Sequence, residues 1–421
     1  MLNKTTLDNG LRVVTKKLES TNAVTVLIFV GAGSRYETKE NNGIAHFLEH
    51  MFFKGGERYT NTKEVSGAID GIGGSFNAFT GKEYVGYYVK VARDKMDTAM
   101  DVLSDMMMNA TFDPAEIDKE RGVIMEELNM YQDTPMYQVG WNFEELLFGD
   151  QPLGWDQIGT KELIRTVTRD DFKKYQEDLY TPENIVVVVS GNVEHDEIVD
   201  KVGKMFPFND GARAYDALPI EDFTADSKVH AVNKKTEQAH IVCGFKGYSN
   251  SHPDKYAKKL LAIILGGNMS SRMFLNVREE KGLSYYIQTS TDFFKDTGVI
   301  STRAGVDVNR IALAVEAIIE EYKTILGEEV PEAELQKAKD YIKGKMTLKL
   351  EDTEEYAYFI AQQELLKDEI KSVEEIYAEI DKVTTADIQR VAKDLFKEDN
   401  LRLALIGPCE DKKKYEEVLT F

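Results

Sequence analysis

Two blocks of this 421-residue chain, DPAEIDKERGVIMEEL from Asp113 and PEAELQKAKDYIKGKM from Pro331, align without a gap at a displacement of 218 residues. A repeat of that length constrains the fold to a unit of about 200 residues used twice, each copy large enough for its own core. The element order agrees. In the first half, TLDNGLRVVTKK carries an Asn9-Gly10 hairpin signal and leads into the apolar strand AVTVLIFVGAG. Polar helical segments run to about residue 71, GSFNAFT and YVGYYVKV pair as strands, and a helix is predicted from about Asp94 to Met108. A long helix starts near Asp113-Pro114, and the strand NIVVVVSGN precedes a short helix around 194 to 205. The second half returns to this order. HAVNKKT and QAHIVCGF are strands, 253 to 280 is helical, and YYIQTSTDFF pairs with GVISTRAGV. The next helix aligns Ile311, Val315, Ile318, Ile319, Tyr322, Ile325 and Leu326 on one stripe, another begins at Pro331, and LRLALIG mirrors NIVVVVSG. The expected fold class is α+β: two similar duplicated domains, each a mostly antiparallel β-sheet covered by helices. The expected boundaries are 1–210, a non-periodic linker at 211–226, and 227–421.

The copies differ where charge is concerned. The alignment sets Ala338 opposite Glu120 and Lys345 opposite Glu127, so one half carries acids that the other lacks. Over the whole chain 73 acidic side chains outnumber 52 basic ones, for a net charge of -21. That balance argues against nucleic acid and anionic membrane as partners and favours cationic peptides. Cys243 and Cys409 are too few for a disulfide framework or a thiolate metal site. There is no apolar leader and no stretch near the roughly 18 apolar residues of a membrane span, so a cytoplasmic location is expected.

His46 and His50 stand four residues apart, which on a helix puts both imidazoles on one face within reach of one ion. Glu49 lies beside them. A zinc peptidase needs an acid close to water at the metal yet not bound to the metal, and H-x-x-E-H supplies it. A third protein ligand is needed, because catalytic zinc sites use three and keep one position open. His195, His230, His240 and His252 have no comparable context. The helix after Asp113 buries a stripe of Ile117, Ile124, Leu128 and Tyr131. Glu120 and Glu127, seven apart, share a face at the edge of that stripe, while Glu126 is turned about 100° towards solvent. Glu127 is therefore the expected ligand, and Glu120 a supporting acid that orients a histidine ring or the water. Two histidines at this spacing also arise by chance, and acid-rich helices are usually solvated; the adjacent Glu49 and the phased acids give the metal reading its weight.

GIAHFLEHMFFKG, the glutamate 77 positions after the second histidine, GSFNAFTGKEYVGYY, SSRMFLNVREEKGLSYYI and LRLALIGP resemble the pitrilysin/insulinase family. The likeness is to its short-chain branch, which includes the mitochondrial processing peptidase subunits. It implies two similar α+β halves, with Zn2+ in the N-terminal one held by His46, His50 and Glu127. Glu49 would be the general base and Glu120 the supporting acid. Asn77, Ala78 and Phe79 match the strand whose open edge pairs with the peptide substrate. Arg278 and Tyr285 match a pair that reaches the zinc site from the other half of the enzyme, to hold substrate backbone and to stabilise the oxyanion. Gly266 and Gly267 lie where the processing peptidases carry a mobile glycine-rich loop, here short. Longer family members carry four such units in one chain, so two chains are expected to complete an enclosed chamber. Because this chain carries both the histidine–glutamate set and the Arg–Tyr pair, a homodimer is the expected assembly, with a heterodimer with a related subunit as the alternative. The competing function is a peptide-binding or scaffold subunit active only with a dissimilar partner.

Overall fold

Strands as apolar as IVVVV and VTVLIFV cannot lie on a surface, and both run through the middle of a sheet. The computed structural model describes residues 2–208, 211–367 and 369–421. The first sheet contains β1 (Leu2–Thr6), β2 (Arg12–Lys17), β3 (Ala23–Val30), β4 (Ser75–Thr80), β5 (Val85–Ala92) and β6 (Ile185–Gly191), in the order β1-β2-β6-β3-β5-β4. Gly10, at φ +91°, turns β1 into β2 and sets Thr6 opposite Arg12. All pairs are antiparallel except β2 with β6. β6 is buried along its whole length and β3 at all but its first residue, because both faces of the sheet are covered. On one face Val14, Leu27, Phe29, Val186 and Val188 pack with Ala357, Ile360 and Ala361 of the helix Thr353–Leu366. The other face receives the helix Ile44–Phe52, whose Phe52 meets Tyr87 of β5 edge-on at 5.2 Å between centroids. β4 is outermost, and among the described residues one of its edges has no strand partner.

The second sheet repeats this connectivity. β7 (Val229–Asn233), β8 (Gln238–Gly247), β9 (Ser284–Phe293), β10 (Gly298–Asp307) and β11 (Arg402–Gly407) are ordered β7-β11-β8-β10-β9. With β1 set aside, this is the first sheet strand for strand, down to the parallel pairing of β11 with β7. Val242, Val299, Ala404 and Ile406 pack with Val139, Phe143, Leu147 and Phe148 of the helix Pro135–Phe148. The fold is thus α+β, with two duplicated helix-covered sheets. No helix among the described residues is long and apolar enough to cross a membrane.

The compact units cut across the linear division at 1–210 and 227–421. One comprises residues 1–128, 156–218 and 347–370, the other 129–155, 219–346 and 371–421. Each sheet has a second apolar face, and the helix that covers it is encoded in the opposite half of the sequence. Helical periodicity marks an apolar stripe without saying which sheet it covers. Residue 210 lies outside the described residues, and 211–226 contains no helix or strand.

The helix that bears both histidines has an unusual start. Gly43 precedes it at φ +106°, and a Cβ there would lie 2.3 Å from the Ile158 carbonyl oxygen. Glycine has no capping side chain, so Glu37, buried beneath the first turn, supplies the acceptors. Its Oε2 accepts from Gly43 N (2.8 Å) and Asn42 Nδ2 (2.9 Å), and its Oε1 from Ala45 N (2.9 Å). Burial pushes its carboxyl up to about 7, against the pull of Ala45, Gly43, Asn42 and Lys82. A carboxamide would turn an NH2 towards one of these donors. Glu37→Gln should therefore cost about 1–3 kcal/mol in urea unfolding, and an unchanged midpoint would count against this capping.

Candidate metal centre

His46 and His50 lie one turn apart on the helix Ile44–Phe52 and meet edge-on, with ring centroids 4.7 Å apart and planes at 62°. The helix Pro114–Asp133 buries Ile117, Glu120, Ile124 and Leu128 and turns Glu127 towards the rings, while Glu126 is exposed. His46 Nε2 lies 3.7 Å from Glu127 Oε1, and His50 Nε2 lies 3.6 Å from Glu127 Oε2. Both distances are too long for hydrogen bonds. They are close to the roughly 3.4 Å that separates ligands of a tetrahedral ion with bonds of about 2.1 Å. Among the described residues this trio is the one group of three or more donor side chains able to share a metal, with its ligand atoms within 4.8 Å of one another.

The surroundings prepare the nitrogens for that role. His50 Nδ1 is 2.9 Å from Glu120 Oε1, and Lys54 Nζ is 2.5 Å from Glu120 Oε2. Glu120 is acceptor-only when ionised, so His50 Nδ1 donates and the Nε2 lone pair is left facing Glu127. Burial raises the Glu120 carboxyl, but His50 and Lys54 outweigh it and the group is held below its usual value. Burial first, then the neighbouring His50, pushes His46 down to about 3, so its ring is neutral. Its Nδ1 is buried without a hydrogen-bond partner among the described residues. His50 is shifted upwards, because Glu120, Glu49 and Glu127 outweigh the opposing effect of burial. Glu127 is shifted upwards by burial and by Glu120, against His50. Two imidazoles are thus ringed by three carboxylates with Lys54 as the adjacent cation, and an additional cation suits that set. The donor types, two imidazoles and a carboxylate, fit zinc.

Glu49 lies on the same helix and is tied to the sheet. Its Oε2 accepts from Thr80 Oγ1 at 2.5 Å. Burial raises its carboxyl, opposed by Thr80 and His50 and reinforced by Glu127. Along β4, Phe76 packs against Phe53 on the helix side of the sheet, while Phe79 turns to the opposite face against Phe29 and Tyr358. Asn77, Ala78 and Phe79 line a cavity of about 160 Å³ with Tyr88, Glu354 and Tyr358.

Arg278 and Tyr285 belong to the other compact unit, where they meet each other. Arg278 sits on a π-helical segment, Phe274–Glu280, a conformation that is rare and frequent at functional sites. Its Nε donates to the Tyr285 carbonyl (3.0 Å), its guanidinium lies 4.6 Å from the Phe274 ring, and Tyr285 is 68% exposed. Gly266 and Gly267 have local packing reasons: a Cβ on Gly266 would lie 2.3 Å from Thr289 Oγ1, and one on Gly267 2.7 Å from Ile263 Cα. Sequence reasoning did not find Lys54, Thr80 or Glu37. Thr80 had a signal, since it shares the alternation of β4; Lys54 is one turn beyond His50. Nothing local marks Glu37.

If the trio holds zinc, the Glu120–His50 contact sets the orientation of one ligand. Glu120→Gln should weaken zinc binding by about 10- to 100-fold in calorimetric titration of the metal-free protein. Wild-type affinity in that variant would remove Glu120 from the centre.

Residues 12–161 match the family model described as Insulinase (Peptidase family M16), and residues 166–342 match Peptidase M16 inactive domain. The chain is 37% identical over 411 residues to uncharacterized zinc protease YmxG of Bacillus subtilis strain 168, covering 97% of this chain and 98% of that protein. It is 34% identical over 415 residues to uncharacterized zinc protease SCO5738 of Streptomyces coelicolor, covering 97% and 90%. A crystal structure of a protease from Helicobacter pylori superposes with a TM-score of 0.88 at 25% identity, covering 97% of this chain and 99% of that one. With the fold, the length of these matches and the histidine–glutamate helix in agreement, the chain belongs to the insulinase family of peptidases, family M16.

Proposed function

We propose that the chain is a zinc metalloendopeptidase of the HxxEH type acting on peptides or unstructured polypeptides, with His46, His50 and Glu127 as zinc ligands and Glu49 as general base. The observation that carries this reading is the convergence of two imidazoles and a carboxylate beside a second carboxylate that is held by the sheet. The zinc protease names of the relatives from Bacillus and Streptomyces support it. Zinc held there supplies Lewis acidity, which polarises a carbonyl and brings the pKa of water down towards about 7.

The protein's own groups do the rest. Glu49 accepts a proton from the attacking water and passes it to the leaving amine, so the C–O bond forms, the C–N bond breaks and the carboxylate is regenerated. Glu120 fixes the His50 ring. An extended peptide pairs with the free edge of β4 at Asn77, Ala78 and Phe79, which sets its register through the backbone and leaves side-chain choice broad. Tyr285 donates to the oxyanion and Arg278 holds the substrate backbone, roles taken from the family pattern. Two copies of the chain enclose the chamber, since each carries both the histidine–glutamate set and the Arg–Tyr pair; a heterodimer with a related subunit is the competing assembly. A scaffold subunit active only with a dissimilar partner would have no need of the intact set of ligands and base.

Glu49→Gln should retain stoichiometric zinc while kcat on an unstructured peptide falls by about 10²- to 10⁴-fold. A variant that holds zinc and cleaves at the wild-type rate would sink the assignment of the base. Mixing Glu49→Gln chains with Tyr285→Phe chains tests the assembly. Recovered activity is expected if one chain's tyrosine serves another's metal centre, and no recovery would argue that each chain uses its own.

A further inference from the structure

Thr80 ends β4, and among the described residues its hydroxyl is the one hydrogen-bonding partner of the Glu49 carboxylate. A β-branched residue at a strand end has few χ1 choices, so the direction of that hydroxyl is set by the backbone. The backbone at this point is itself held, because Gln157 Nε2 donates to the Thr80 carbonyl. Gln157 lies in a loop with little freedom. Ile158 N donates to Asp156 Oδ1 at 2.9 Å, and Asn42 Nδ2 donates both to the Asp156 carbonyl (3.0 Å) and to Glu37 Oε2 (2.9 Å). A Cβ on Gly159 would lie 2.1 Å from the Asn42 carbonyl oxygen, so the loop and the start of the histidine helix are in direct backbone contact. One loop therefore holds both the beginning of the helix that carries Glu49 and the strand end that binds its carboxylate.

We propose that Thr80, clamped through its carbonyl by Gln157, is the positioning residue for Glu49, engaging Oε2 and leaving Oε1 to meet the attacking water. This rests on the assignment of Glu49 as base. The carboxylate needs a donor, and the loop secures the backbone of that donor.

The test compares Thr80→Val, which keeps the shape and removes the hydroxyl, with Thr80→Ser, which keeps the hydroxyl. Thr80→Val is expected to lower kcat on the order of 10- to 100-fold with KM and zinc stoichiometry unchanged, and Thr80→Ser to restore most of the loss. Crystal structures of the metal-free proteins supply a readout independent of turnover: Glu49 in one rotamer in wild type and Thr80→Ser, and in several in Thr80→Val. Should Thr80→Val fail to fold, Gln157→Leu leaves the hydroxyl present and loosens its hold, and is expected to lower kcat and disorder Glu49 in the same direction. Wild-type kcat or a single Glu49 rotamer in Thr80→Val, or in Gln157→Leu where it stands in for a misfolded Thr80→Val, would overturn the proposal. A wild-type protein without peptidase activity would instead overturn the peptidase reading, and the rotamer comparison would still judge the clamp.

Discussion

β3 and β6 carry apolar side chains to both faces of their sheet, and so do β8 and β11 in the second sheet. Neither sheet could remain in water with one face open: at roughly 25 cal/mol per Å² of apolar surface, an uncovered row of Val, Ile and Phe would cost more than a domain's net stability. Each sheet is therefore covered twice. The helix Thr353–Leu366 completes the first sheet and Pro135–Phe148 the second, each encoded in the opposite half of the sequence. β4 ends this sheet, and among the described residues no strand pairs with its outer edge. An unpaired edge is a liability in most proteins, and under the proposed function it is the feature that an extended substrate would use.

The metal centre sets a different problem. Glu49, Glu120 and Glu127 gather around two imidazoles in a partly buried site, where removing an ion from water costs on the order of several kcal/mol. Lys54 offsets part of this through Glu120. Burial shifts the Glu49 and Glu127 carboxyls upwards and keeps the His46 ring neutral. Zinc held by His46, His50 and Glu127 would offset the negative charge gathered there, and the neutral His46 ring is already in the form that can ligate it. The surrounding scaffold is correspondingly rigid: the Glu37 carboxylate ties down the first turn of the helix, and the Glu120 carboxylate fixes His50 from the other side.

What the sequence disclosed and what it withheld divide along physical lines. The duplication, the succession of strands and helices along the chain and the phase that turns Glu127 inwards and Glu126 outwards follow from local pattern, periods of 2 for strands and 3.6 for helices, and can be read in one dimension. The exchange of covering helices cannot, since an apolar stripe carries no address. The same holds for Glu37 and Gln157. Glu37 acts on the Ala45 backbone eight residues on and Gln157 on the Thr80 backbone 77 residues back, and neither spacing follows a helix or strand period. Thr80 lay between these cases: its place on the strand was legible, but its meeting with Glu49 depended on how a helix lies across a sheet.

The second copy shows which parts of the site belong to the fold and which to the chemistry. Its helix Glu332–Lys349 is the counterpart of Pro114–Asp133, with Leu335 and Ala338 buried where the first copy has Ile117 and Glu120. Lys345 stands where Glu127 does, and it lies near the Tyr341 ring. The sheet needed none of the acids to form, because β7 to β11 assemble with the same connectivity without them. The acids of the first copy are therefore not part of the folding requirement. They are a local electrostatic cost carried by a scaffold whose stability comes from elsewhere, and a cost of that kind persists in a protein where something binds to it.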